Sequence, residues 1–200
     1  PSGIEEKVDP SLSPDALVIS LAKQKVDSVH SSYPHSLCLG ADTVVVHQNN
    51  ILGKPSTDEQ ARSMLQQLSG NTHDVWTGVH ILRTDAQGHG IAHETFAFAS
   101  RVTFHTLEES LIEEYIATGS PRDKAGAYGI QDPLGGLMVE RVDGDYTNII
   151  GLPLHPVYQA LRRLDQTPVI PTPKWDRIRP RDTFTDLETL VSVLRVECPW

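Results

Sequence analysis

Residues 37–46 read LCLGADTVVV, a dense apolar run rich in β-branched side chains and broken by Gly40 and Asp42. Such a run is long enough for a strand buried on both faces, and the pair Asn49-Asn50 just beyond it predicts a turn. Upstream, Ser13-Pro14-Asp15 is a helix start with a hydroxyl cap and proline at the first helical position. Leu17, Val18, Leu21, Ala22, Val26 and Val29 follow at helical spacing. Downstream, Thr57 and Gln60 form a capping box for a helix whose apolar face is Ala61, Met64, Leu65 and Leu68, closed by Gly70.

Two long strands are predicted next. Val75, Thr77, Val79 and Ile81 alternate, as do Phe96, Phe98, Ser100, Val102 and Phe104, with Asp85 to Gly88 as the hairpin loop. Thr106 with Glu109 reads as a second capping box, opening a helix through Leu111, Ile112, Tyr115 and Ile116 that stops at Gly119. Leu137 to Val142 reads as a shorter strand, and Pro156 to Leu164 as a helix with Val157, Ala160, Leu161 and Leu164 inward. Residues 165–183 hold Pro168, Pro171, Pro173 and Pro180 and read as an extended arm. A third capping box, Thr185 with Glu188, then opens a short amphipathic helix. Interleaved strands and helices without an internal repeat make the class α/β.

The whole chain of 200 residues carries 17 Lys+Arg against 26 Asp+Glu, a formal charge of −9. That balance argues against a dedicated nucleic-acid binder, although a few lysines focused in a cleft still suit an anionic small substrate. With 38% apolar and 22% charged residues the composition is that of a globular chain, not a disordered one. No apolar run approaches the ~20 residues of a membrane span, so no membrane partner is expected. Cys38 and Cys198 are too few for a disulfide framework, which makes a reducing cytoplasm the expected compartment.

Asp42 is the residue that most needs explaining. An unpaired carboxylate among Leu39, Ala41, Val44 and Val45 costs several kcal/mol, so a metal ion or a cation must answer it. A structural Asp that caps a turn or pairs with an arginine fits the same residues. Lys54, in Gly53-Lys54-Pro55, reads alone as a surface lysine. PRDKAGAYGIQ, Pro121 to Gln131, suits a backbone wrapped around a ligand, or simple connecting turns; it matches neither the P-loop nor the dinucleotide fingerprint. Glu5 and Glu6 read as a solvated pair, and the nine histidines show no zinc-ligand spacing.

Taken together, GADTVVV (Gly40 to Val46), ILGKP (Ile51 to Pro55), MLQQLSGNTHDVWTGV (Met64 to Val79), the VTF of Val102 to Phe104, DKAGAYGIQ (Asp123 to Gln131) and GDYTNIIGLPL (Gly144 to Leu154) resemble the Maf family of nucleoside triphosphate pyrophosphatases. The resemblance covers residues 1–164 and sets 165–200 apart as a proline-rich arm and short helix. It implies a mixed, twisted sheet of long strands flanked by helices, of the inosine-triphosphatase-like kind, with a ligand cleft. PSGIEE resembles the segment of a catalytic glutamate, here Glu6, and LAKQK puts Lys25 at a phosphate-binding lysine. GADT carries the key acid onto Asp42 with Thr43 beside it; GKP carries a substrate lysine onto Lys54, and YGIQ a base-reading glutamine onto Gln131.

The wording of KAGAYGIQ and GDYTNIIGLP resembles the branch acting on dTTP and UTP, a house-cleaning activity that extends to modified pyrimidine nucleotides. The resemblance then implies Asp42 and Glu6 as ligands of a divalent cation, Mg²⁺ or Mn²⁺, with one of them activating water. Lys25 and Lys54 would neutralise phosphate charge, and Gln131 and Thr43 would hydrogen-bond the pyrimidine. The family also begins with a strand and an S-x-S-P-R-R turn that cradles the phosphates, and this chain starts after it, at Pro1. A natural chain that extends upstream is the expectation. Were that turn truly lost, a non-catalytic nucleotide-binding or regulatory module would be the alternative. An interaction domain docking a partner through residues 165–200 is another, and a homodimer is the assembly to test.

Overall fold

The computed structural model describes residues 7–166. Glu6, the proline-rich arm from Thr167 onward, the Thr185–Glu188 capping box and Cys198 lie outside the described residues. In chain order the elements are α1 (Pro14–Asp27), β1 (Leu37–His47), β2 (Asn50–Leu52), α2 (Asp58–Leu68), β3 (Thr72–Thr84), β4 (Gly90–Phe104), α3 (Glu109–Ala117), α4 (Pro133–Leu137), β5 (Val139–Asp143), α5 (Tyr146–Ile150) and α6 (Leu154–Gln166). The strands form one sheet in the order β2-β1-β3-β4-β5. The α/β class with long strands flanked by helices is found. Every pairing among the described residues is antiparallel, so they do not contain the parallel part that a mixed sheet requires.

Alternation along the strands sorts side chains onto two faces. On one, α1 packs with Val18 against Val44 and Val46. On the other, α2 and α3 cover Val45, Val75 and Val102 with Leu65, Leu68, Ile112 and Tyr115. Beside them α6 covers Leu39, Ala41, Val79 and Ile81 with Val157, Ala160 and Leu164. β2 pairs only with Val45 to His47, so no strand covers the outer edge of β1 from Leu37 to Val44 among the described residues.

Four local expectations shift. The β1–β2 turn is Gln48-Asn49, both left-handed at φ 49° and 63°, the backbone of a two-residue hairpin loop; Asn50 already belongs to β2. In the first capping box Thr57 accepts from the Gln60 amide at 3.2 Å, while the Gln60 side chain reaches one residue further back, to the Ser56 amide at 2.8 Å. The second capping box does not form. Helix α3 begins at Glu109 behind Glu108, which makes no side-chain cap. The backbone before it is committed elsewhere: His105 N–H donates to Met138 O at 3.0 Å and Leu107 N–H to Ser69 Oγ at 2.8 Å. The short fifth strand likewise starts at Val139, because Pro133 to Leu137 turns as α4.

Candidate active site

The interruptions that mark β1 in the sequence are also where α1 meets it. A Cβ on Gly40 would lie 2.5 Å from the Ala22 carbonyl oxygen, and one on Gly78 would lie 2.2 Å from the Val18 carbonyl carbon. Gly78 stands directly opposite Asp42 in the β1–β3 register. The two glycines therefore let α1 sit against the sheet at the level of the carboxylate. From its last turn Lys25, itself buried, places Nζ 2.5 Å from Asp42 Oδ1 and 3.1 Å from the Ala41 carbonyl oxygen. The cation that the sequence demanded for Asp42 is thus a lysine from α1. Asp42 keeps 15% of its side-chain surface, and with Thr43 it forms the only half-open step between the buried residues Cys38 to Ala41 and Val44 to His47.

Thr43 follows Asp42 on the strand and so faces the opposite side of the sheet. Its Oγ1 lies 2.8 Å from Thr77 Oγ1 on β3, which donates in turn to the Asn148 backbone oxygen at 3.1 Å. Asn148 is fully buried; its amide donates to Val75 O and to Ser100 Oγ, while its Oδ1 has no partner among the described residues.

On this second face the glycine-rich segment folds as two short 3-10 turns, Ser120–Asp123 and Ala125–Ala127. Gly126, at φ 69°, packs on Val45, and its N–H donates to the Gly53 carbonyl at 3.1 Å. That bond joins the loop carrying Gln131 to the loop carrying Lys54. Both side chains are exposed and make no hydrogen bond or ion pair among the described residues. Below Gln131 the loop is held by an acid hub. Asp132 Oδ2 accepts from Tyr115 OH at 2.6 Å and Ser120 Oγ at 2.7 Å, with Lys124 Nζ 3.7 Å away. Burial opposes ionisation of Asp132, but these hydrogen bonds and the Lys124 charge together hold its carboxyl below the ordinary value. Tyr115 OH also accepts the Gly129 N–H at 2.9 Å, and its own ionisation is pushed upward, first by burial and then by Asp132.

The loop's aromatic, Tyr128, bonds His73 Nε2 at 2.8 Å in a cluster of perpendicular rings with Phe104. Burial pushes the His73 imidazole down to about 3, with His47 adding to the effect.

Lys25 and Asp42 are therefore brought together, while Thr43 shares the other face of the sheet with the loops of Lys54 and Gln131. Glu6 lies outside the described residues. Among those described, no group of three or more His, Cys, Asp or Glu could hold a metal ion, and no helix is long and apolar enough to cross a membrane. Sequence reasoning missed Tyr115, Ser120 and Asp132, because a tyrosine at core spacing and a serine in a turn do not announce their hydroxyl partners. In the sequence Thr77 is only a strand position; its place opposite Thr43 follows from the β1–β3 register.

Residues 1–164 match the family described as Maf-like protein. A dTTP/UTP pyrophosphatase of Geobacillus sp. (strain WCH70) is 48% identical over 163 residues, 82% of this chain and 84% of the relative. One from Shouchella clausii (strain KSM-K16) is 42% identical over 170 residues, 85% of each chain. One from Bacillus cereus (strain B4264) is 41% identical over 164 residues, 82% of each.

Proposed function

The chain belongs to the Maf family, and from that premise we propose that it hydrolyses dTTP and UTP to the monophosphate and pyrophosphate. The names of its relatives support the substrate class. The observation that carries the chemistry is the Lys25–Asp42 pair, a carboxylate and an ammonium at the half-open step of a buried strand. We assign the activity to residues 1–164 and leave 165–200 outside it. We assign the chain to a reducing cytoplasm, since two cysteines in 200 residues are too few for a disulfide framework.

In the reaction a water oxygen attacks the α-phosphorus, the bond from that phosphorus to the oxygen bridging toward the β-phosphate breaks, and pyrophosphate leaves with the bonding electrons. Asp42 takes the proton that the water loses. Lys25 holds the Asp42 carboxylate in place and, with Lys54, sets positive charge against the phosphates. Thr43, beside Asp42 on β1, and Gln131 are assigned to the base.

A divalent cation fits these donors. Mg²⁺ and Mn²⁺ take oxygen ligands, and Mg²⁺ is commonly held by one or two carboxylates together with substrate phosphates. Asp42 offers such a carboxylate, and Glu6 is the second that we assign on resemblance. Bound there, the ion would supply charge neutralisation at the phosphate oxygens.

The test is pyrophosphate release from a panel of nucleoside triphosphates with Mg²⁺ or Mn²⁺. dTTP and UTP should be the best substrates, and Asp42→Asn, assayed at a temperature at which it remains folded, should lower turnover about 10²–10⁴-fold. Release near the parent rate in Asp42→Asn would remove the assignment, and none from either nucleotide in the parent would remove the activity.

A further inference from the structure

Resting on that reading, we infer that Thr77 is a positioning residue for base selection: it fixes the proton of the Thr43 hydroxyl so that Thr43 presents only lone pairs to the bound base. The direction follows from the partners. A hydroxyl carries one proton and two acceptor sites, and a backbone carbonyl only accepts. Thr77 is fully buried, between Thr43 Oγ1 at 2.8 Å and the Asn148 carbonyl oxygen at 3.1 Å. If Thr77 donates to Asn148 O, then Thr43 donates to Thr77 and both contacts hold a proton. Were the Thr77 proton turned toward Thr43, two bare acceptors would face each other at 3.1 Å in a dry site, which costs free energy. The relay therefore runs Thr43 to Thr77 to Asn148 O.

Thr43, half-buried, is left as an acceptor toward the base. Thymine and uracil carry a donor at N3, whereas cytosine carries an acceptor there. A committed Thr43 thus welcomes the first two and sets lone pair against lone pair with the third. Thr77 itself has no exposed surface and acts only through Thr43. The Asn148 carbonyl also accepts the Gly151 N–H at 3.0 Å, so removing the Thr77 hydroxyl does not orphan it.

The experiment compares kcat/KM for UTP and CTP, and for dTTP and dCTP, in the parent, Thr77→Val, Thr77→Ala and Thr77→Ser. Valine keeps the shape and alanine avoids any misfit of the second methyl; both free the Thr43 proton to turn toward the base. The preference for UTP over CTP should fall about tenfold or more in both, mostly through KM, while Thr77→Ser retains the parental preference. A loss confined to stability or to overall rate, with the preference intact in a folded Thr77→Val or Thr77→Ala, overturns the relay while leaving the pyrophosphatase reading standing. A parent that releases no pyrophosphate from UTP overturns that reading and the relay with it.

Discussion

At the scale of single residues, the Lys25–Asp42 pair is a structural feature to which we also assign the chemistry, and the two roles can be separated. Lys25 is 8% and Asp42 15% exposed, so neither charge is well solvated. Removing one member of such a buried pair deprives the other charge of a counter-ion, at a cost of about 3–5 kcal/mol. Because Asp42 keeps some contact with water, Lys25→Met should sit near the lower end, about 3 kcal/mol less stable in urea unfolding. The double variant Lys25→Met/Asp42→Asn should recover a substantial part of that loss, since it removes both charges, yet it should remain without turnover. A double variant no more stable than Lys25→Met would show that the cost is lost lysine packing and not an uncompensated acid. The sequence made Asp42 conspicuous through contrast with its apolar neighbours. It could not name the lysine by physics, because Lys25 lies 17 residues away on a helix and only the packing of α1 on β1 brings them together.

At the scale of elements, α1 can deliver Lys25 only because the sheet beneath it is bare. The ideal Cβ at Gly78 falls 2.2 to 2.5 Å from backbone atoms of Val18 and Ile19, which cannot swing aside as a side chain would. Gly78→Ala should therefore lift α1 from the sheet, lowering stability by about 3 kcal/mol and lowering turnover with it as Lys25 withdraws from Asp42. Gly53→Ala is the matched control, since a Cβ there meets nothing within 4 Å; an equal loss of stability in both would argue against close helix–sheet contact as the cause. Elements of this kind were legible where their signals are local. Helix α1 begins at Pro14 behind Ser13, and α2 at Asp58 behind Thr57, where the spelling of residues 13–15 and 57–60 places them. The signals failed where distant backbone competes. Thr106 and Glu109 spell a capping box, but the chain at 105–107 is already tied to Met138 and Ser69, and its helix starts late. The glycine-rich loop was legible as irregular backbone; the Tyr115–Asp132–Ser120 hub that fixes it was not, since it joins a helix, a 3-10 turn and a loop through hydroxyls alone.

At the scale of the whole molecule, the buried histidines set how stability depends on pH. His73 is held down to about 3 by burial, against an ordinary value of 6.5, and burial lowers His80 as well. A group whose folded value lies below its unfolded value binds fewer protons in the native state. The native state is then favoured above the unfolded value and loses that advantage as pH falls toward the folded one. For His73 the loss begins near 6.5, continues toward about 3, and amounts on the order of 2 kcal/mol by about pH 5. Asp132, whose carboxyl is also held low, acts in the same sense but only below its ordinary 3.8, so the window above about pH 5 reports the histidines. Urea midpoints measured from about pH 7 to about pH 5 should accordingly fall with acidity. His73→Phe keeps a ring against Phe104 and Tyr128 but has nothing to protonate, so it should flatten most of that slope and leave the smaller share due to His80. Because His73 anchors Tyr128, and Tyr128 lies in the loop that ends at Gln131, acid should loosen this loop, to which we assign the base, before the Lys25–Asp42 side. Hydrogen exchange at about pH 5 should then show residues 124–131 opening ahead of α1 and β1; simultaneous opening of both would mean that the two faces unfold as one unit and that His73 does not control the loop.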